Sequence, residues 1–120
     1  MKTLRCHCKK VEVQINIKKI EKILRCNCSL CKRKGAIMSM VKNEDFNVVK
    51  GQDILRIYQF HTKVAKHYFC SSCGIYTHHN PRSNPSMTGF NLGCIDEIDT
   101  FKLDNVFIND GNNHPLDKKK

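Results

Sequence analysis

The stretch Cys26-Asn27-Cys28-Ser29-Leu30-Cys31 places three thiols within six residues of the chain. Two tight pairs flank it, Cys6-His7-Cys8 and Cys70-Ser71-Ser72-Cys73, whereas Cys94 stands apart. Thiols separated by one or two residues, and repeated along a small chain, are the pattern of tetrahedral thiolate sites for Zn²⁺. The sequence therefore predicts a small fold that zinc helps to hold together.

Seven clustered thiols cannot form two closed sites of four, so we expect one closed site and one open site. The closed, structural site joins the two outer pairs: Cys6, Cys8, Cys70 and Cys73. The open site is the central triad: Cys26, Cys28 and Cys31. An alternative makes Cys94 the eighth ligand and closes both sites. A lone cysteine in an apolar strand is more typical of a small buried hydrophobe.

A disulfide framework is the competing interpretation of eight cysteines. The N-terminal residues contain no apolar h-region, so we expect no signal peptide. No stretch approaches the roughly 20 apolar residues of a membrane span. These features favour a soluble protein in the reducing cytoplasm, where thiols stay free to bind metal.

Length and charge limit the remaining choices. A chain of 120 residues predicts a single domain, with a core at about 4–110 and a flexible tail at 115–120. Hydrophobic residues make up 40% of the chain and Trp is absent, so metal would supplement a thin core. The formal net charge of +10 favours anionic partners, although solubility alone is a sufficient reason for it.

The pattern outside the thiol clusters predicts many short strands and no long helix, hence a mainly β domain. The clearest strand is Val11–Lys18, which alternates apolar and polar residues. The segment from Ile20 to Arg25 is compatible with a strand or a short helical turn. Further strands are predicted at 36–41, 46–50, 54–60, 64–69, 75–79, 88–95 and 105–108, and 80–86 is predicted to be a loop. Of the adjacent His78 and His79, only one can face a given site.

The thiol clusters and their neighbours resemble the glutathione-dependent formaldehyde-activating enzyme family, which includes the centromere protein V group. Three segments carry the resemblance most clearly: 6–8, 26–35 and 64–75. The loop Asn80-Pro81-Arg82-Ser83-Asn84-Pro85 and the segment 91–96 are also similar. Lys9 departs from the family pattern, because the family usually has Gly directly after the first cysteine pair.

The resemblance implies an Mss4-like fold of small coiled antiparallel sheets with two zinc sites, divided among the thiols as above. It also implies a carbon–sulfur lyase-type activity that joins glutathione to formaldehyde as S-(hydroxymethyl)glutathione. On this hypothesis the triad zinc is the catalytic centre. Arg33, Lys34 and Arg82 are candidates to bind glutathione carboxylates, and His67 or Tyr68 to move a proton.

Two other functions remain open at this stage. The net charge and the run Lys32-Arg33-Lys34 suggest a zinc-stabilised binding module for an anionic partner, such as nucleic acid or protein. Aromatic residues are only 8% of the chain and show no stacking pattern of the kind that single-strand binders use. A purely structural zinc fold, with a closed or vestigial pocket, is the third possibility.

Overall fold

The computed structural model describes residues 1–111, and the expected tail at 115–120 lies outside that range. Within the described part, the chain forms ten strands and one short α-helix, joined by turns and four single-turn 3₁₀ helices. The strands are β1 (Lys2–Arg5), β2 (Glu12–Ile15), β3 (Leu24–Cys26), β4 (Met38–Lys42), β5 (Phe46–Lys50), β6 (Leu55–Tyr58), β7 (Lys66–Cys70), β8 (Tyr76–Asn80), β9 (Met87–Asn91) and β10 (Phe107–Asn109). The helix α1 spans Ser29–Lys34. Among these residues, no helix has both the length and the apolar character needed to cross a bilayer.

The first sheet has three antiparallel strands in the order β1-β2-β5. The alternation predicted around β2 is present: Val13 and Ile15 are fully buried, whereas Glu12 and Gln14 are half-buried. The strand is shorter than the predicted Val11–Lys18, and the chain turns away from the ladder after Ile15.

The second sheet has seven strands in the order β10-β3-β4-β9-β8-β7-β6. All neighbours are antiparallel except β10 and β3, which pair in parallel with Phe107 opposite Leu24. The sheets are therefore antiparallel, as expected, apart from this one parallel pair at the edge. A parallel neighbour needs a long crossover, and the segment between β9 and β10 provides it.

The hydrophobic core lies between the two sheets, and the opposite face of the large sheet carries the site described below. Core side chains come from both sheets and from the 3₁₀ turn after β9: Leu4, Val11, Val13, Ile15, Val41, Leu55, Phe90, Leu92 and Ile95. Phe46 of β5 reaches across to the large sheet, with its ring centroid 4.5 Å from that of His78. His78 is thus a core residue.

Two local predictions differ from the structure. The helix α1 was not predicted, because six residues are too few to show a 3.6-residue period. The strand predicted at 88–95 ends at Asn91, whose side chain accepts a hydrogen bond from the Gly93 N–H and begins a 3₁₀ turn. Cys94 therefore lies in that turn rather than in a strand.

Candidate metal centres and the adjoining cavity

The two outer thiol pairs meet in space and form a four-sulfur cluster. The sulfurs of Cys6, Cys8, Cys70 and Cys73 all lie within 4.8 Å of one another. The Sγ–Sγ distances are 3.6 Å from Cys6 to Cys8 and 3.7 Å from Cys8 to Cys70. A tetrahedron of sulfurs about 2.3 Å from a central zinc has edges of about 3.8 Å. The four thiols therefore fit a closed Zn²⁺ site.

The first pair is brought together by a tight turn after β1. The Lys9 N–H donates to the Cys6 carbonyl at 3.1 Å, and the Val11 N–H donates to Cys6 Sγ at 3.4 Å. Lys9 has φ of 66°, a left-handed conformation that glycine adopts without strain. The turn thus explains why glycine suits this position, and Lys9 bears a strain that glycine would avoid. His7, between the two ligands, is exposed.

The second pair lies in the turn between β7 and β8. The Gly74 N–H donates to the Cys70 carbonyl at 2.7 Å, which folds the chain back so that both sulfurs face the first pair. Backbone donors surround the cluster: the Lys10 N–H lowers the pKa of Cys8. Burial opposes ionisation of Cys73, yet hydrogen bonds from the Cys8 and Ile75 N–H groups bring its pKa to about 6. Such donors favour thiolate, the form that binds metal.

The central triad is formed where β3 passes into α1. The sulfurs of Cys26, Cys28 and Cys31 all lie within 4.8 Å of one another. Cys28 is the N-cap of α1, and its sulfur accepts a hydrogen bond from the Cys31 N–H at 3.3 Å. The first turn of the helix therefore holds two of the three thiols. Three sulfurs at these separations fit three corners of a zinc tetrahedron.

The triad thiols differ in acidity because they contact one another. The Cys31 thiol donates to the Cys26 sulfur, which lowers the pKa of Cys26 to about 5. The same contact, with burial, raises the pKa of Cys31. Cys26 is therefore the first of the pair to ionise, and it begins the thiolate set that a metal completes.

Cys94 belongs to neither cluster. It is 6% exposed in the hydrophobic core, and its thiol donates to the Tyr76 carbonyl at 3.7 Å. Burial raises its pKa to about 12, so it stays a neutral thiol. The alternative in which Cys94 closes both sites is thus wrong for this structure, and the triad keeps three thiol ligands among the described residues.

The triad forms one wall of a cavity of about 720 Å³ on the face of the large sheet opposite the core. The other walls come from the 60–65 loop, the cavity face of β4, β7 and β8, the 81–84 loop, and the C-terminal end of β10. The lining residues away from the triad include Met38, Met40, Phe60, His67, His79, Arg82 and Asn109. The volume lies within the range of about 300–1,000 Å³ that is usual for small-molecule pockets.

The structure separates the four predicted substrate-binding residues. Arg82 and His67 line the cavity. Lys34 does not reach it: its Nζ lies 2.9 Å from His67 Nδ1 and 3.6 Å above the centroid of the Tyr76 ring. Arg33 is exposed on α1 and donates to the Ser29 carbonyl at 2.8 Å. Arg82 is therefore the predicted cation that stands nearest to a bound ligand.

The cavity also contains a residue to which the sequence interpretation gave no role. His79 lines it beside His67, whereas His78 points into the core and stacks on Tyr68, with ring centroids 4.4 Å apart. The sequence showed that only one of the two adjacent histidines could face a site, but not which one. Gly89 on β9 makes room for His79, since a Cβ there would lie 2.3 Å from His79 Cε1.

The C-terminal end of the described chain closes one side of the triad. Asn109 Nδ2 lies 3.7 Å from Cys26 Sγ, and the Asn27 N–H donates to the Asn109 carbonyl at 3.1 Å. Gly111 follows two residues after Asn109, and a Cβ there would lie 2.4 Å from Cys26 Sγ. Only glycine permits this close approach. Nothing in the local sequence signals the contact, because the partners are more than 80 residues apart.

A four-thiol cluster that ties two turns together, and a three-thiol cluster open to a cavity, define a mainly β protein with one candidate structural and one candidate functional zinc centre. The chain belongs to the glutathione-dependent formaldehyde-activating enzyme family, whose model matches residues 1–109. The predicted Mss4-like, mainly β fold is confirmed. The crystal structure of a Rhodobacter sphaeroides protein is similar along nearly its whole length. It is 40% identical, with a TM-score of 0.84, and the match covers 89% of this chain and 99% of that one.

Proposed function

We propose that this protein is a zinc-dependent, carbon–sulfur lyase-type enzyme that forms or cleaves the adduct between glutathione and formaldehyde. The observation that carries the proposal is the position of the Cys26, Cys28 and Cys31 thiols on the wall of the cavity. A triad deep in the core would support a structural role only. Membership of the family supports the choice of glutathione and formaldehyde.

Zinc held by the triad would supply a Lewis acid that binds a thiolate at neutral pH. The chain itself supplies binding and orientation. Arg82, on the 81–84 loop, is the proposed partner of a glutathione carboxylate. Because a thiol adds to formaldehyde readily without a catalyst, holding the two reactants together supplies most of what the enzyme must contribute.

The 81–84 loop is positioned by a hydrogen-bond clamp centred on Asn43, at the end of β4. The Asn43 side chain donates to the Pro85 carbonyl at 2.9 Å and accepts from Thr88 Oγ1 at 2.6 Å. Its N–H donates to the Ser86 carbonyl at 3.0 Å. A loop held this firmly can present Arg82 with little loss of entropy on binding.

The alternative, a binding module for an anionic partner, rested on the net charge of +10 and on the run Lys32-Arg33-Lys34. Lys32 and Arg33 are exposed at the end of α1, but Lys34 turns inward to His67. The run is therefore a weaker basic patch than its sequence suggests. No other contact in the described residues favours this function over the enzyme.

The test combines metal analysis with adduct exchange. Zinc-loaded wild type should contain two zinc ions per chain and accelerate exchange between glutathione and its formaldehyde adduct, measured by NMR. Cys28→Ser should lose one zinc and the acceleration. Cys94→Ser, at a buried cysteine outside both clusters, should keep both zinc ions and the acceleration. Two bound zinc ions with no acceleration over buffer would exclude the proposed activity.

A further inference from the structure

The rings of His67 and His79 lie stacked in the cavity wall, with centroids 5.3 Å apart and an angle of 12° between their planes. The two residues are directly opposite each other in the β7–β8 ladder. We propose that this pair is an oxyanion-binding site, in which both imidazoles are held as Nε2–H tautomers and offer two parallel N–H donors to the cavity. The substrate named below depends on the proposed function, whereas the geometry of the histidine pair does not.

The tautomer of His79 is set by Tyr76. The Tyr76 hydroxyl lies 2.5 Å from His79 Nδ1 and 3.3 Å from the Met38 sulfur. The phenol has one proton to donate, and an imidazole nitrogen is a stronger acceptor than the thioether sulfur, so we assign that proton to the contact with His79 rather than to the contact with Met38. Burial raises the pKa of Tyr76, which keeps that proton on the phenol. With Nδ1 accepting, the proton of neutral His79 is on Nε2.

This contact depends on a β-bulge. Residues 76 and 79 would face opposite sides of a regular strand, because side chains alternate. The register shifts between Tyr68 and Phe69, which pair with His78 and Tyr76 and leave Thr77 as the extra residue of β8. The bulge returns Tyr76 to the cavity side of the sheet, behind His79. Bulges that re-aim a side chain are frequent next to functional sites.

The tautomer of His67 is set by Lys34 in the same way. Lys34 Nζ lies 2.9 Å from His67 Nδ1. Burial lowers the pKa of Lys34, but the amine lies 3.6 Å above the centroid of the Tyr76 ring, a contact that favours its charged form. An ammonium group has no lone pair, so His67 Nδ1 must accept. The proton of neutral His67 is therefore also on Nε2.

Both Nε2 atoms remain available to a ligand. Neither makes a hydrogen bond to another described residue, although each Nδ1 does. Within residues 1–111, no buried side-chain nitrogen or oxygen lacks a partner. The two Nε2 atoms must therefore reach accessible space, and the cavity is the space that both rings line. Histidines that served only to fill the core would have both nitrogens bonded inside the protein.

The environment keeps the rings neutral. Burial, with the charge of Lys34, lowers the pKa of His67 to about 4 and that of His79 to about 3. At neutral pH the pair is therefore a set of hydrogen-bond donors rather than a fixed cation. Such a site suits an oxygen that gains negative charge during a reaction more than one that is already a stable anion in water.

The fitting ligand is the oxygen of a carbonyl that is becoming a hemithioacetal. In the addition, the thiol loses its proton to water, the C–S bond forms, and the C=O π electrons move to oxygen. The two Nε2–H groups stabilise that oxygen until it takes a proton from water, so atoms and charge balance. Cleavage of the adduct is the same path in reverse.

The first experiment measures the tautomers without any need for turnover. Long-range ¹H–¹⁵N NMR of the zinc-loaded protein should show His67 and His79 as neutral Nε2–H forms at pH 7. Tyr76→Phe should give His79 a mixture of tautomers and leave His67 unchanged. Formate, a small oxyanion probe, should shift both Nε2–H signals, and His79→Leu should weaken the shift at His67. An Nδ1–H or charged form of either ring, or no response to millimolar formate, would overturn the inference.

The second experiment separates the roles kinetically. His79→Leu should lower kcat about 100-fold, the order seen when one oxyanion donor is lost, with little change in KM. His79→Gln, whose amide can donate near the Nε2 position, should recover most of the lost kcat. A merely structural role for His79 predicts that both variants lose kcat equally. His78→Gln, a buried neighbour outside the cavity, should keep wild-type kcat. If wild type shows no turnover, the proposed function fails, while the tautomers and the formate response still decide the inference.

Discussion

Gly89→Ala tests whether the space opposite β8 determines where His79 lies. A Cβ at position 89 would meet His79 Cε1 at 2.3 Å, whereas ordinary contact begins at 3.4 Å, so the ring must retreat by about 1 Å. Overpacking of this kind costs about 1–3 kcal/mol. Alanine also loses less conformational entropy on folding than glycine does, which returns roughly 0.5–1 kcal/mol of stability in a strand. The net loss is then about 0–2.5 kcal/mol, which lowers Tm by up to roughly 10 °C in a chain of this size.

The assay is thermal unfolding of the zinc-loaded protein, together with NMR of the His79 ring. We expect the hydrogen bond from Tyr76 to weaken, since it spans only 2.5 Å before the ring moves. Gly93→Ala is the matched control, because its Cβ would meet only the Asn91 side chain, at 3.2 Å. An unchanged Tm with unchanged His79 signals in Gly89→Ala would refute the idea that this glycine positions the ring.

Three further predictions follow from single contacts. Lys9→Gly should stabilise the protein by about 0.5–1 kcal/mol in urea unfolding, because φ of 66° strains lysine; Lys10→Gly, whose φ is not left-handed, should not stabilise it. Asn43→Ala should raise KM for glutathione several-fold with zinc content unchanged, because it releases the loop that carries Arg82. His78 is neutral in the folded core, where burial lowers its pKa to about 3, but takes up a proton near pH 6.5 once unfolded. Unfolded chains then bind more protons, so stability should fall as pH drops from 6.5, by about 1.4 kcal/mol per pH unit for this residue, and His78→Gln should reduce that slope.

The division of the thiols could be predicted from sequence because metal ligation imposes short spacings that survive any fold. Two strands could also be predicted from sequence. The predicted and observed bounds of β5 coincide at Phe46–Lys50, and the predicted alternation of buried apolar residues with less buried polar ones is present in β2. The role of Cys94 was left open by the sequence and is decided by its burial in the core.

The remaining features arise from long-range geometry. The parallel pairing of β10 brings Asn109 and Gly111 to the triad from the other end of the chain, and no local pattern records it. Period-two alternation would place Tyr76 with His78, so the bulge at Thr77 makes the simple rule fail at the site itself. Local rules are expected to fail at functional positions, where the backbone departs from regular geometry.

The hairpin β7–β8 connects the closed thiol cluster to the cavity. Its turn holds Cys70 and Cys73 of the closed cluster, and its strands carry His67 and His79 into the cavity. The bulge at Thr77 lies between these two ends, four residues after Cys73 and two before His79. A zinc ion in the closed site would therefore fix the hairpin register, and the register in turn sets which face Tyr76 and His79 share. On this argument a zinc ion in the closed site would do more than supplement a thin core, because it would also hold Tyr76 and the cavity histidines in register.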